Sequence, residues 1–237
     1  MDMNHRVVIK APGRVIPIPL LPDSPIVDES YQPLKRLFDL ILCLLALPIV
    51  MPLGIIIAIA IRLDSPGPIL FLQERVGKDG RLFKIVKFRT MHRNIDKRSH
   101  RAFMKKYISG QMRSNGDANN TFKPFKDNEV TSIGRFLRRT SLDELPQLIN
   151  VFRHEMTFVG PRPNVTWEVE SYREWHAERL RVLPGITGLA QVRGRSTITF
   201  DEIVQHDLEY IEKQGLWLDI RILWWTVTSV LFRNGAE

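Results

Sequence analysis

Residues 40–61 read LILCLLALPIVMPLGIIIAIAI, 22 positions without one charged side chain. At about 1.5 Å per residue a helix of this length reaches roughly 33 Å, matching a hydrocarbon core of about 30 Å. The stretch therefore predicts a membrane segment. It starts too deep in the chain, runs too long and lacks the small-residue exit of a cleavable leader. Pro48 and Pro52, followed by Gly54, fall in its middle. Each proline removes a helical donor and crowds the turn before it, so a kink or break is expected there. Lys35 and Arg36 precede the stretch and Arg62 follows it, and basic flanks favour the cytoplasmic face. A helix-break-helix that enters and leaves through one leaflet satisfies both flanks, whereas a kinked spanning helix avoids an irregular turn in lipid. The residues alone leave both open.

Outward from this stretch the chain is basic. Its 237 residues carry a net charge of +8, and 44% hydrophobic side chains can supply a core, which excludes a disordered tail. A single cysteine, Cys43, excludes an intrachain disulfide framework and a Cys-rich zinc site. The charge is unevenly placed. Residues 1–61 are balanced, residues 62–139 hold 19 basic against 7 acidic side chains, and residues 140–237 hold 10 against 14. The positive block directly after the apolar stretch suits anionic headgroups or phosphate ligands. Nucleic acid is not the expected partner, because no reader motif and no interleaving of stacking aromatics with basic residues is present.

Residues 1–33 read as an extended, proline-punctuated tail, 34–62 as the membrane element and 63–237 as a cytoplasmic domain. Within the last, ILFLQ and RLFKIVKFRTM flank Asp79-Gly80, a two-residue hairpin signal. In the second arm Lys87 and Arg89 share a face at period two, so both can address one anion. Residues 92–130 are polar and read as a loop excursion. Ile133, Phe136 and Leu137 then mark one helix, and Leu145, Leu148, Ile149 and Phe152 a second. Phe200 to Ile211 predicts an amphipathic helix, and Leu216 to Phe232 a Trp-rich one suited to core or membrane interface.

Asp143 and Glu144 stand where the second of these helices begins. Ser141-Leu-Asp-Glu144 matches a capping box, and the plain reading is that the pair merely starts a helix. Pro146 opposes it: with Ser141 as cap, the proline would fall where an N–H is needed. A later start places an acidic residue at the cap itself, near Arg138 and Arg139, where the ionised form is favoured. Downstream, the prolines of Gly160-Pro-Arg-Pro163 fix the backbone around Arg162, a way to hold a guanidinium for phosphate or simply a proline turn. Pro184-Gly-Ile-Thr-Gly-Leu-Ala-Gln-Val-Arg-Gly-Arg195 adds a glycine-punctuated turn with Arg193 and Arg195, alone a weak signal.

KRLFDL before the apolar stretch, then SPGPILFLQERVG, FKIVKFRTM, RFLRRTSLDELPQLINV, FVGPRP and PGITGLAQVRGR, in this order, resemble the bacterial sugar transferase family, the monotopic polyprenyl-phosphate sugar-1-phosphate transferases. The resemblance spans about Lys35 to Phe232 and is to the minimal catalytic form. It implies an α+β, mainly helical, membrane-associated fold. The expected parts are a re-entrant helix broken at Pro48 or Pro52, a small antiparallel hairpin and amphipathic interfacial helices. It further implies a transferase at the bacterial inner membrane, facing the cytoplasm, that moves a sugar-1-phosphate from a UDP-sugar to polyprenyl phosphate and releases UMP. Asp143 is implied as nucleophile and Mg²⁺ contact, and Glu144 as the group positioning metal or acceptor. Lys87, Arg138 and Arg162 are the expected phosphate contacts, with Arg195 as a further candidate. The chemistry is coherent, because a carboxylate approaching a diphosphate needs fixed cations and a metal to offset like charge.

Overall fold

A computed structural model of the chain describes residues 27–92, 98–110, 129–194 and 198–231. Most of the proline-rich tail, much of the polar excursion and Arg195 lie outside these residues. The apolar stretch belongs to one helix, α1 (Tyr31–Asp64), 34 residues long and continuous through Pro48 and Pro52. The break expected at one of these prolines is therefore absent. Two prolines four residues apart remove the donors that would serve Leu44 and Pro48, at about 3 kcal/mol each. The strong Leu- and Ile-rich turns on either side keep their own hydrogen bonds.

Tyr31, Lys35, Asp39, Cys43, Ile57 and Ile61 form the buried face of α1, at helical spacing. Its first turns are fastened by Tyr31, whose hydroxyl donates to Asp219 Oδ2 at 2.8 Å, and by Lys35, which donates to the same oxygen. The Phe158 N–H donates to Asp39 Oδ1 at 3.1 Å. At the far end Ile57 and Ile61 pack on Phe88 and Leu137, and Asp64 Oδ2 accepts from the Ile133 N–H at 3.1 Å. Both ends thus dock on one body. Between them Leu44, Leu45, Ile49, Met51, Ile55 and Ile56 stay exposed, an apolar surface larger than a water-facing helix carries. Only 11% of its most apolar window is buried, so α1 is not an ordinary core helix.

Strands β1 (Leu70–Val76) and β2 (Leu82–Phe88) pair antiparallel as expected, with Leu70 opposite Phe88 and Val76 opposite Leu82. This register leaves residues 77–81 in the connection, wider than the two-residue turn read from Asp79-Gly80. Both residues nevertheless take positive φ, 55° and 76°, the conformation for which that dipeptide is suited. The polar excursion contains helix α2 (Arg98–Ile108), which the composition concealed. Ile108 is fully buried against Phe200 and Val204, and the Tyr107 hydroxyl donates to the Ile198 carbonyl at 2.6 Å.

Helix α3 (Ser132–Thr140) is capped by Thr131, whose hydroxyl accepts from the Gly134 N–H. A Cβ at Gly134 would lie 2.1 Å from the Thr90 carbonyl oxygen, so glycine there lets α3 approach the end of β2. A 3-10 segment, Leu142–Gln147, leads into the short α4 (Leu148–Phe152). A second sheet, not anticipated, pairs β3 (Thr157–Val159) with β4 (Gly185–Thr187) in parallel. A Cβ on Gly185 would come within 2.2 Å of the Gly160 nitrogen. The glycines of the two turns therefore serve mutual backbone approach. Helices α5 (Thr166–Val169), α6 (Leu189–Arg193), α7 (Phe200–Lys213) and α8 (Leu216–Leu231), with a 3-10 helix at Glu174–Arg181, complete the described fold. Val159, Leu189, Tyr210, Ile211 and Ile222 join β3, α6, α7 and α8 in one core cluster.

Candidate active site

Ser141 does not cap the following helix. It sits at φ 57° and closes α3, its N–H donating to the Arg138 carbonyl, and its side chain makes no cap hydrogen bond. The capping box is thus not formed, and Pro146 is accommodated in a 3-10 segment instead. Asn150, in α4 directly after that segment, fastens it to β2: its Oδ1 accepts from the Val86 N–H at 3.0 Å and its Nδ2 donates to the Lys84 carbonyl at 2.8 Å. Asp143 and Glu144 are thereby held beside Lys87.

Lys87 Nζ donates to Glu144 Oε1 at 2.6 Å, and Arg162 donates to the same oxygen at 3.1 Å. Burial opposes the charge on Glu144, but Arg162 and Lys87 outweigh it and hold its carboxyl at about 2. Asp143 differs. Burial raises its carboxyl above the usual carboxylate range, with Lys87, Arg162 and Arg138 pulling the other way. Among the described residues no group donates a hydrogen bond to it. One carboxylate is therefore spent on organising cations, and its neighbour is left available among them. Arg138 Nε donates to Thr90 Oγ1 at 2.9 Å, and burial lowers its guanidinium pKa while Asp143 supports the charge.

Two cavities meet at this wall. One, of about 1000 Å³, is lined by Arg75, Lys87, Arg138, Asp143, Glu144 and Arg162 among others. The second, of about 550 Å³, shares Ser141, Glu144 and Arg162 but is otherwise mainly apolar, with Ala46 and Val50 of α1, Leu145, Leu148, Ile186 and Val230 in its lining. The structure thus brings Asp143, Glu144, Lys87, Arg138 and Arg162 together. Arg89 lines the larger cavity together with Lys87, as the shared face predicts, but its guanidinium donates to the Ser65 and Pro66 carbonyls and anchors the turn after α1. Arg193 is directed away, paired with Glu209.

Two arginines at the site escaped the sequence reading. Arg75 donates to the Pro163 carbonyl at 3.0 Å, and burial lowers it to about 10. Arg179, almost wholly buried, donates to the Arg162 carbonyl at 3.1 Å and to Asn164 Oδ1 at 2.9 Å, and lies 2.6 Å from Asp207. It secures the backbone of the Pro-Arg-Pro turn from below. Its only sequence signal is an arginine in a run later found buried.

A family model described as bacterial sugar transferase matches residues 30–233. The chain belongs to that family. Bacterial sugar transferases similar to it include the UDP-glucose:undecaprenyl-phosphate glucose-1-phosphate transferase of Escherichia coli, 39% identical over 93% of this chain and 45% of that protein. The undecaprenyl-phosphate galactose phosphotransferase of Salmonella typhimurium is 39% identical over 88% of this chain and 42% of that protein. The exopolysaccharide production protein ExoY of Sinorhizobium fredii is 35% identical over 85% of this chain and 87% of its own length. The chain spans less than half the length of the first two relatives.

Proposed function

We propose that the chain transfers a sugar-1-phosphate from a UDP-sugar to polyprenyl phosphate, releasing UMP, in the first membrane step of surface polysaccharide or glycoconjugate assembly. The observation that carries this reading is the Asp143 carboxylate, without a hydrogen-bond donor among the described residues, beside cations that Glu144 holds in place. Asp143 attacks the phosphorus that bears the sugar. A carboxylate–phosphorus bond forms and the bond to the bridging oxygen breaks, so UMP leaves with that oxygen. The acceptor phosphate then attacks the same phosphorus, and the Asp143 carboxylate departs. Lys87, Arg138 and Arg162 stabilise the charge that gathers on the phosphoryl oxygens. Glu144 keeps Lys87 and Arg162 oriented, so little reorganisation is required when the donor binds.

The donor set fits Mg²⁺. Glu144 Oε1 takes both cations, while its Oε2 and the Asp143 carboxylate receive no hydrogen bond from described residues. No cluster of three or more His, Cys, Asp or Glu occurs among the described residues. Mg²⁺ suits such a site, since it uses one or two carboxylates and fills its shell with phosphate oxygens and water. Bound there by Asp143 and Glu144, it would supply positive charge to the diphosphate.

The apolar cavity suits the first part of a polyprenyl chain, because it opens from the same Glu144–Arg162 wall and is lined by α1. Membrane seating on the cytoplasmic face of the inner membrane is supported by three features. Both ends of α1 dock on one body, which disfavours ends on opposite sides of a bilayer. Its middle turns are exposed and apolar. Trp217, Ile220, Trp224 and Val227 form an exposed stripe on α8, the pattern of an interfacial helix. Purified chain with Mg²⁺, a panel of UDP-sugars and undecaprenyl phosphate is expected to release UMP and to stop with EDTA. Release of UDP instead would indicate cleavage of the sugar–oxygen bond, and no release with any donor would favour a basic, membrane-tethered binding module.

A further inference from the structure

The larger cavity extends past its charged wall to an aromatic ring that the transfer chemistry leaves unused. Trp167, in α5, lines it together with Arg98 and Arg101 of α2. The Arg101 guanidinium lies 5.5 Å from the centre of the Trp167 ring, so one indole face already accepts a planar group.

The backbone that carries the ring is tied to the phosphate-binding wall. Only five positions separate it from Arg162, and every part of that link is held. Arg75 donates to the Pro163 carbonyl, and the Val76 N–H donates to the Asn164 carbonyl at 2.9 Å. Arg179 takes the Arg162 carbonyl and the Asn164 side chain. The Val165 N–H donates to Glu168 Oε2 at 3.0 Å, which fixes the start of α5. Charged wall and aromatic face are therefore presented at a set separation, the arrangement that a molecule with a diphosphate at one end and a planar base at the other requires.

We propose that Trp167 is the platform on which the donor's nucleobase stacks, the base replacing the Arg101 guanidinium on the indole face; this rests on the nucleotide-sugar reading given above. Of the two phenylalanines in the cavity lining, Phe88 is buried against Ile57, Ile61 and Leu137, and Phe71 belongs to the exposed apolar run Leu70-Phe71-Leu72, close in sequence to the exposed Leu63, and suits a lipid-facing surface instead.

The test is binding of UMP and of ribose 5-phosphate, which lacks the base, to the detergent-solubilised full chain with Mg²⁺. Trp167→Ala should weaken UMP about tenfold to a hundredfold. Trp167→Phe, which keeps a stacking face, should stay within about fivefold of wild type. Ribose 5-phosphate should bind all three forms alike. The platform is overturned if Trp167→Ala binds UMP like wild type, if it loses both ligands equally, or if the wild type does not distinguish them. The transfer reading is judged separately in the same preparation by UMP release from a UDP-sugar, which can persist when the platform fails.

Discussion

On one side of the Glu144–Arg162 pair the cavity is lined by Arg75, Lys87, Arg138 and Asp143, and on the other by Ala46, Val50, Leu148 and Ile186. The first is built by β1, β2, α3 and the 3-10 segment, with β2 held to α4, directly after that segment, by the side-chain amide of Asn150. The second is built where α1 crosses the domain between its two anchored ends. The difference teaches that two cavities of unlike lining share one wall, the arrangement that the transfer proposed above needs for a water-soluble donor and a lipid acceptor. Asp143 lines only the larger cavity, next to Glu144 and Arg162, which both cavities share, and the smaller cavity is mainly apolar beside its buried Arg179–Asp207 pair.

The sharpest way to break this comparison is beside the shared wall, at Asp143. Asp143→Asn should lower UMP release by at least about 10⁴-fold, measured with saturating donor and acceptor. Its thermal midpoint should rise, since a buried carboxyl with a raised pKa costs folding free energy at pH values where it is ionised. Retained activity, or a clear loss of stability, would contradict the role given to this side chain.

On the charged side, Lys87→Met should reduce turnover by about 10²–10³-fold. It should also move the acidic limb of the pH–rate profile upward. Burial already raises the Asp143 carboxyl, and Lys87 is the leading influence holding it down. Without that cation a higher pH is needed to ionise the nucleophile. A profile shifted downward would show that Lys87 acts elsewhere.

Much of this charged side was legible in the sequence, and the reasons are local. Asp143, Glu144, Arg162 and Lys87 lie in short motifs whose proline and strand signals restrict the backbone. Pro146 excluded the capping box, and Ser141 indeed adopts a left-handed conformation instead of capping. Arg75, Arg179 and Trp167 were not legible, because their roles depend on register and on contacts between distant elements. A shift of one residue in the β1–β2 pairing would turn Arg75 to the opposite face. Strands β3 and β4 are three residues each, too short to show a period. The continuity of α1 through Pro48 and Pro52 is not legible locally, because the cost of each proline is local while the helical flanks that absorb it are long.

On the apolar side, Val50→Trp should fill part of the smaller cavity and raise the KM for polyprenyl phosphate about tenfold. UMP binding should remain unchanged. Equal loss of donor and acceptor affinity would merge the two cavities into one functional site. The smallest effect is expected away from both. Arg193→Ala removes an exposed ion pair with Glu209 and should change stability by less than about 1 kcal/mol, with turnover intact. A large fall in turnover would restore this arginine to the phosphate site.

The central claim is that Asp143 carries the sugar phosphate between the two cavities. Wild-type chain incubated with Mg²⁺ and UDP-sugar, without acceptor, and then digested for mass spectrometry tests it most directly. A sugar-phosphate mass on the peptide containing Asp143, formed together with UMP and discharged by polyprenyl phosphate, is the predicted result. UMP formed only after acceptor is added, with no adduct at any stage, would contradict it.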